Sequence, residues 1–159
     1  MRVVADTGGI VAAINAAEPA HAEFLEVLES ASTVFVTPLV VTEVHHVLTS
    51  AGLGTVADDF LDDVVAGFYE LVNPSPADLA KASELVRRYR GTMQRNRRKP
   101  GSLDLADAMN VVVAGSKGTN LIVATDQDYR RVAPLSGHPA FVLLPQDRTP
   151  LEPEDRKRS

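Results

Sequence analysis

The chain has 159 residues, of which 45% are hydrophobic and 23% charged, and its formal net charge is −5. This length predicts one domain with its own core rather than two. The absence of cysteine excludes disulfides, thiolate zinc sites and a cysteine nucleophile, and the acidic balance disfavours a protein that coats nucleic acid non-specifically.

No apolar run approaches the roughly 18 residues of a membrane span. The N-terminus, Met1-Arg2-Val3-Val4, leads straight into a predicted strand without a signal-peptide segment. We therefore expect a soluble protein of the cytoplasm.

Apolar runs and amphipathic segments alternate along the chain. They predict strands over residues 2–5, 34–36, 69–72, 120–124 and 141–144, and helices over residues 8–17, 20–28, 38–48, 56–66, 76–89 and 103–114. Such alternation is typical of an α/β domain with a mostly parallel sheet covered on both faces. The polar, basic residues 91–101 are predicted to form a loop. We expect the domain to occupy residues 1–144 and the charged tail, residues 145–159, to be disordered.

Two aspartates follow predicted strands. Asp6 comes directly after Val3-Val4-Ala5, and Asp126 comes shortly after the apolar run that ends at Ala124. Open α/β sheets bind their ligands at the carboxyl ends of parallel strands. Clustered carboxylates bind Mg²⁺ or Mn²⁺, so these two side chains are candidate metal ligands. A helix cap is the competing interpretation of Asp6 alone.

Four further acidic residues lie on or beside predicted helices. Glu43 belongs to an apolar helix, where a carboxylate needs a partner if it is partly buried, although an ordinary surface position is nearly as plausible. Asp104 and Asp107 are three residues apart, so both can face the same neighbour. Alternatively, the negative charge of one of them simply stabilises the N-terminal end of the helix dipole. Asp128 is either an auxiliary ligand or the cap of a short helix. The joint placement of these acids is more informative than any one of them.

The residues Asp6-Thr7-Gly8, Thr42-Glu43, Asp107-Ala108 and Thr125-Asp126-Gln127-Asp128-Tyr129 resemble, in order and spacing, the four motifs of PIN-domain ribonucleases. They are most similar to VapC-type toxins of bacterial toxin–antitoxin pairs. The resemblance implies a three-layer α/β/α sandwich with a five-stranded sheet. It also implies Mg²⁺- or Mn²⁺-dependent cleavage of transfer, ribosomal or messenger RNA, inhibition by a VapB-type antitoxin, and a homodimer.

Within this resemblance Asp6, Glu43, Asp107 and Asp126 are the predicted catalytic residues. Mg²⁺ takes only one or two carboxylates directly, so we expect Asp6 and Asp107 to bind it, with Glu43 and Asp126 acting directly or through water. Asp104 and Asp128 are possible auxiliaries. Gly8 departs from the family pattern, in which serine is frequent, and the position lacks a hydroxyl that could orient a water molecule.

A basic run precedes the helix that carries Asp107. Its residues Arg95, Arg97, Arg98 and Lys99 are predicted to contact the RNA backbone, against the alternative of a solvated loop. A second functional alternative is a catalytically silent PIN-like module that binds RNA or protein. Metal-dependent RNA cleavage that depends on Asp6 would distinguish the two.

Overall fold

The computed structural model describes residues 1–91, 93–96, 99–101 and 103–148, and for 93–96 and 99–101 it describes the backbone alone. Five parallel strands form one sheet in the order β3-β2-β1-β6-β7. The α/β prediction with a five-stranded parallel sheet is therefore confirmed. The strands of this sheet are β1 (Arg2–Ala5), β2 (Thr33–Val36), β3 (Glu70–Leu71), β6 (Leu121–Val123) and β7 (Val142–Leu144).

Within the described residues, six α-helices connect the strands, and local sequence signals explain where several of them begin. The side chain of Thr37, the residue before Pro38, accepts a hydrogen bond from the Val40 amide. Ser75 forms a capping box with Asp78. Proline is tolerated in the first turn because its missing N–H would be unpaired there anyway. The helices are α1 (Thr7–Ile14), α2 (His21–Ser30), α3 (Pro38–Ser50), α4 (Gly54–Ala66), α5 (Pro76–Arg88) and α6 (Leu105–Lys117).

Side-chain alternation along the strands creates two hydrophobic cores. In β1, Val3 and Ala5 pack into the core under α1 to α4, whereas Val4 packs into the core under α5 and α6. Successive side chains of a strand point to opposite faces of the sheet. A sheet buried on both faces therefore needs the unbroken apolar runs that this sequence contains, and the result is a three-layer sandwich.

The strand order reverses at β1, because β2 and β3 follow on one side while β6 and β7 follow on the other. Ala5 pairs with Val123, and the Asp6 amide donates to the Val123 carbonyl at 2.9 Å. The carboxyl ends of β1 and β6 thus meet at the topological switch point, which is where open α/β sheets bind ligands.

Two described stretches within residues 91–101 are strands, where a loop was predicted. The chain there forms an antiparallel hairpin of β4 (Met93–Asn96) and β5 (Lys99–Gly101). Polar and basic composition favours a loop only on average, and a hairpin outside the main sheet needs no apolar face. The start of α6 also differs from the prediction, since Asp104 caps this helix.

The residues that follow β7 form hydrogen bonds with the rest of the domain. Asp147 forms two hydrogen bonds to Arg130, at 2.6 and 2.9 Å, and also accepts the Leu143 amide. Gln146 donates to the Ala124 carbonyl at 2.9 Å. Residues 145–148 of the predicted tail are therefore held against the loop that follows β6, and residues 149–159 lie outside the described residues.

Across the described ranges, the structure contains no helix with the length and apolar character that a bilayer span requires.

Candidate active site

An acidic cleft of about 380 Å³ opens at the switch point. The structure brings all four predicted catalytic carboxylates into its lining, together with Asp104. Apolar side chains form part of the same wall. The carboxylates are Asp6, Glu18, Glu43, Asp104, Asp107 and Asp126, and the apolar residues are Val11, Ala12 and Val47.

Asp6 lies between the last residue of β1, Ala5, and the first residue of α1, Thr7. Its backbone is extended and its carbonyl accepts the Ile10 amide, so it occupies the N-cap position, but its side chain does not cap the helix. The side chain is only 7% exposed. The capping interpretation therefore describes its backbone, and its carboxylate is turned to other partners.

Asp104 and Asp107 occupy the first turn of α6 and have different roles there. Asp104 accepts the Asp107 amide at 2.9 Å and is the helix cap. Asp107 is 6% exposed, and its Oδ1 accepts the Tyr129 hydroxyl at 3.0 Å. Asp107 is thus the buried member of the pair, while both line the cleft.

Glu43 lies on α3 and is exposed, so of the two interpretations open from the sequence, partial burial and a surface position, the structure has the surface position. Thr7 Oγ1 donates to Glu43 Oε2 at 3.0 Å, which links the residue to the turn after Asp6. A solvent-facing carboxylate keeps its hydration and is suited to holding water at the edge of the cleft.

Asp126 reaches the cleft from the loop after β6, where its Oδ1 accepts the Asp128 amide at 2.8 Å. Asp128 begins the short 3-10 helix Asp128–Arg131. It is buried, and it is not among the described residues that line the cleft.

Two buried polar residues behind the carboxylates were not predicted. Asn110 is 0% exposed, and its Nδ2 donates to Asp6 Oδ1 at 3.1 Å and to the Tyr129 hydroxyl at 3.0 Å. Tyr129 is 1% exposed and donates in turn to Asp107. A polar residue one turn after Asp107, between Met109 and Val111, was the available sequence signal.

Burial and mutual repulsion raise the pKa values of the two inner carboxyl groups. Burial is the main cause for Asp6, with additions from the Asp104 and Glu43 charges and an opposing effect of the Thr7 backbone, and the pKa is about 6. Burial, followed by the charges of Asp6 and Asp104, raises the pKa of Asp107 to about 8. Without a cation, the site therefore holds protons at pH values where aspartates are normally ionised.

β6 packs so closely against the first turn of α1 that position 9 requires glycine, and the Thr125 side chain occupies the space beside Gly8. A Cβ on Gly9 would lie 2.3 Å from the Val123 carbonyl oxygen, and a Cβ on Gly8 would lie 2.2 Å from Thr125 Oγ1. The space of a side chain at position 8 is thus filled by the Thr125 hydroxyl, which lines the cleft. The departure at Gly8 is therefore accompanied by a hydroxyl from the neighbouring loop.

The donor set fits a divalent cation that retains much of its water. Nowhere in the described part of the chain do three His, Asp or Glu side chains come close enough to enclose an ion. Asp6 is nevertheless near enough to Asp107 for its charge to raise the pKa of the Asp107 carboxyl. Mg²⁺ binds through one or two carboxylates and several waters, so this pair suffices.

The predicted RNA-contacting residues lie at the edge of what the structure describes. Arg95 and Lys99 belong to β4 and β5, whose side chains lie outside the description, as do Arg97 and Arg98 entirely. The β4 backbone runs beside the 3-10 helix that follows Asp126, so the hairpin is a neighbour of the cleft.

Comparison with known proteins identifies the family. The PIN domain model matches residues 3–135. Ribonuclease VapC26 of Mycobacterium tuberculosis is 31% identical over 146 residues, which cover 90% of this chain and all of that protein. The chain belongs to the VapC branch of the PIN-domain family. The resemblance seen in the four motifs is confirmed.

Solved VapC structures share the fold. VapC20 of Mycobacterium tuberculosis, described as a toxin that cleaves the sarcin–ricin loop, superposes with a TM-score of 0.65 at 18% identity, over 79% of this chain and 91% of that one. VapBC2 of Rickettsia felis, bound to a DNA fragment from its promoter, superposes with a TM-score of 0.59 at 16% identity, over 90% and 97% of the two chains. These likenesses confirm the PIN-like sandwich.

The raised pKa values predict how the stability of this VapC-family protein depends on pH. An unfolded aspartate titrates near 3.8, whereas folded Asp6 and Asp107 titrate near 6 and 8. Between these values the folded state binds more protons than the unfolded state. Protonation of these two groups therefore stabilises the folded state in full below pH 3.8, and this stabilisation is lost as the pH rises through 6 and 8.

Thermal melts in the presence of a chelator at pH 5 and pH 8.5 measure this effect. We expect a lower melting temperature at pH 8.5, and a smaller difference for Asp107→Asn, which cannot ionise. A wild-type protein and an Asp107→Asn variant with the same pH dependence would contradict the prediction.

Proposed function

We propose that this chain is the toxin of a VapBC toxin–antitoxin pair and acts as a Mg²⁺- or Mn²⁺-dependent endoribonuclease on cellular RNA in the cytoplasm. Membership of the VapC branch supports the activity class. The observation that carries the proposal is the convergence of Asp6, Glu43, Asp107 and Asp126 on one cleft. Two of these carboxylates are buried with raised pKa values, which is the electrostatic signature of a functional site.

In this proposal the buried and the exposed carboxylates have different roles in hydrolysis. Asp6 and Asp107 would bind the ion, while Glu43 and Asp126, which are more exposed, would hold and orient its waters. The bound ion would offset the repulsion between the carboxylates and RNA phosphate and supply a water of lowered pKa. The Thr125 hydroxyl beside Gly8 offers a further hydrogen-bonding group for a water or a phosphate oxygen.

A catalytically silent PIN-like binding module is the competing proposal. It predicts RNA or protein binding without metal-dependent cleavage. Buried, mutually repelling carboxylates lower the stability of the metal-free fold, and this arrangement is hard to explain for a protein that never binds a cation. The alternative is therefore disfavoured by the same pair that supports the nuclease.

We predict that Asp107→Asn reduces RNA cleavage by more than the roughly 10- to 100-fold that losing an outer-shell partner costs a metal site. The variant removes one negatively charged ligand from the metal ion. It also removes a buried negative charge from the metal-free protein. Its metal-free melting temperature at pH 8.5 should therefore equal or exceed that of the wild type. Cleavage of a total-RNA substrate with Mg²⁺ or Mn²⁺, and with chelator, is the measurement.

Asp104→Asn is the matched control, because asparagine caps a helix as well as aspartate does. This variant keeps the start of α6 and removes a charge from the same turn. We expect it to retain much more cleavage than Asp107→Asn. The reverse order would make Asp104 the primary third acid, and metal-independent cleavage by both would refute the proposed mechanism.

We also propose that a VapB-type antitoxin inhibits the toxin by laying a segment along the cleft and directing an Arg or Lys to the carboxylates. Arginine suits paired carboxylates because its guanidinium forms two parallel hydrogen bonds. Val11, Ala12 and Val47 would pack against its aliphatic stem. Because α3 packs on α4, the apolar contacts can continue toward Val56 and Leu61.

A homodimer is the remaining part of the proposal. Leu39, Leu79 and Leu105 are each exposed by 38% to 49% around a second, apolar hollow between the N-terminal ends of α3, α5 and α6. Exposed apolar side chains grouped in this way are typical of contact surfaces between proteins.

Val47→Glu and Leu39→Glu form a matched pair that separates these two interfaces. Both residues lie on α3 with 38% exposure, one at each site. We expect Val47→Glu to weaken binding of the antitoxin encoded beside the toxin gene by at least about tenfold, and Leu39→Glu to leave that affinity intact while lowering the mass found by light scattering. Equal effects of the two variants on antitoxin affinity would contradict binding at the cleft.

The basic hairpin is proposed to bind the RNA backbone. Replacing Arg95, Arg97, Arg98 and Lys99 by Ala, in the Asp107→Asn background, should weaken binding to RNAs of unrelated sequence. The slope of log affinity against log salt should fall by about 0.7 for each phosphate that the variant no longer neutralises. A triple Arg→Lys variant keeps the charge and should keep the slope. If all three proteins bind RNA equally, the hairpin is a solvated surface.

A further inference from the structure

The two inner carboxylates are joined by a continuous chain of hydrogen bonds. Asn110 Nδ2 donates one proton to Asp6 Oδ1 and the other to the Tyr129 hydroxyl, which donates to Asp107 Oδ1. All four side chains are less than a tenth exposed. When both carboxylates are ionised, as cation binding requires, the direction of every bond is determined, because an ionised carboxylate only accepts and the Asn110 amide nitrogen only donates.

This chain of bonds engages one oxygen of each carboxylate. Both bonds to the carboxylates end on Oδ1 atoms, so the network does not use the Oδ2 atoms. A carboxylate that accepts a bond at one oxygen cannot rotate freely about its Cβ–Cγ bond. Asp6 and Asp107 are thereby held in one orientation relative to each other before any ion arrives.

The anchors of the network are themselves rigid. Asn110 lies on α6 one turn after Asp107, so its position relative to that residue is set by the helix. The Tyr129 ring packs edge-to-face against Phe141, with centroids 6.1 Å apart. Asn110 Oδ1 has no hydrogen-bond partner in the structure although it is buried. Leaving such an atom unpaired costs free energy, which is consistent with a residue placed there for the carboxylates.

We propose that Asn110 and Tyr129 are positioning residues that preorganise Asp6 and Asp107 as ligands for the divalent cation, each through its Oδ2 atom. This inference rests on the proposed function. Neither residue is among the described residues that line the cleft, so both act through the carboxylates rather than on RNA. Such partners typically change metal affinity or activity by about 10- to 100-fold.

The test measures binding of Mn²⁺ alone to the full chain, by calorimetry and by the paramagnetic resonance of free Mn²⁺. Tyr129→Phe removes the hydroxyl and keeps the ring, so its packing on Phe141 is retained. We expect Mn²⁺ to bind about tenfold or more weakly and the melting temperature to change little. Asn110→Leu removes both amide donors and should weaken binding at least as much.

Tyr89→Phe is the matched control, because the Tyr89 hydroxyl accepts a hydrogen bond from the Ala133 amide in the same half of the domain. It should bind Mn²⁺ with wild-type affinity. In cleavage assays, Tyr129→Phe should need more Mn²⁺ for half-maximal rate and regain most of its rate at saturating Mn²⁺, with KM for RNA unchanged. A residue with only a structural role would not produce this metal-dependent rescue.

The outcomes separate this inference from the proposed function. If wild type and Asp6→Asn bind Mn²⁺ equally or not at all, the metal site itself is wrong and the inference falls with it. If wild type binds, Asp6→Asn does not, and Tyr129→Phe binds like wild type, the inference alone is overturned. Should Tyr129→Phe melt well below wild type, affinities measured about 10 °C below its transition give the same decision.

Discussion

The repulsion between two buried carboxylates, Asp6 and Asp107, is the constraint around which the rest of the structure is arranged. Burial raises the pKa of both carboxyl groups, and the charge of Asp6 raises that of Asp107 further. Hydrogen-bond donors from the interior, which reach the pair through Asn110 and Tyr129, offset part of this cost. The fold therefore holds in place a site whose full stability depends on a counter-charge from outside.

The sheet explains why such a pair can exist at all. Asp6 follows a central strand, and Asp107 lies in the first turn of a helix that packs on the face of the sheet opposite α1. The two residues come from different layers and meet at the switch point, where no connection crosses between β1 and β6. Rigid elements on both sides fix the separation of the charges, which neighbouring loop residues could not do.

Much of the fold was predictable because its signals are local. Each central strand is an apolar run buried on both faces, and helix starts such as Ser75-Pro76 carry their own capping chemistry. The hairpin of β4 and β5 was missed because its strands lack any hydrophobic alternation. Whether Glu43 is buried or exposed could not be decided from the sequence, since burial at the edge of a helix depends on which neighbours pack there, and a single sequence does not contain that information.

The candidate site was predictable in part, for a related reason. Asp6 and Asp126 follow strands, so topology alone predicts that they approach one another. Asn110 was not predicted, although a lone amide among valines indicates a buried polar partner. The bond from Tyr129 to Asp107 spans 22 positions in the chain and could not be read from spacing.

The two hydrogen bonds from Arg130 to Asp147 link the far end of the described chain to the segment that follows Asp126. Gln146 adds a bond to the Ala124 carbonyl, one step from the same loop. The family match ends at residue 135, yet these bonds come from residues 146 and 147. The hydrogen-bonded structure therefore extends beyond the residues that the family model matches. A truncated or tagged version of this toxin needs its junction beyond Arg148 if the fourth carboxylate is to keep its place.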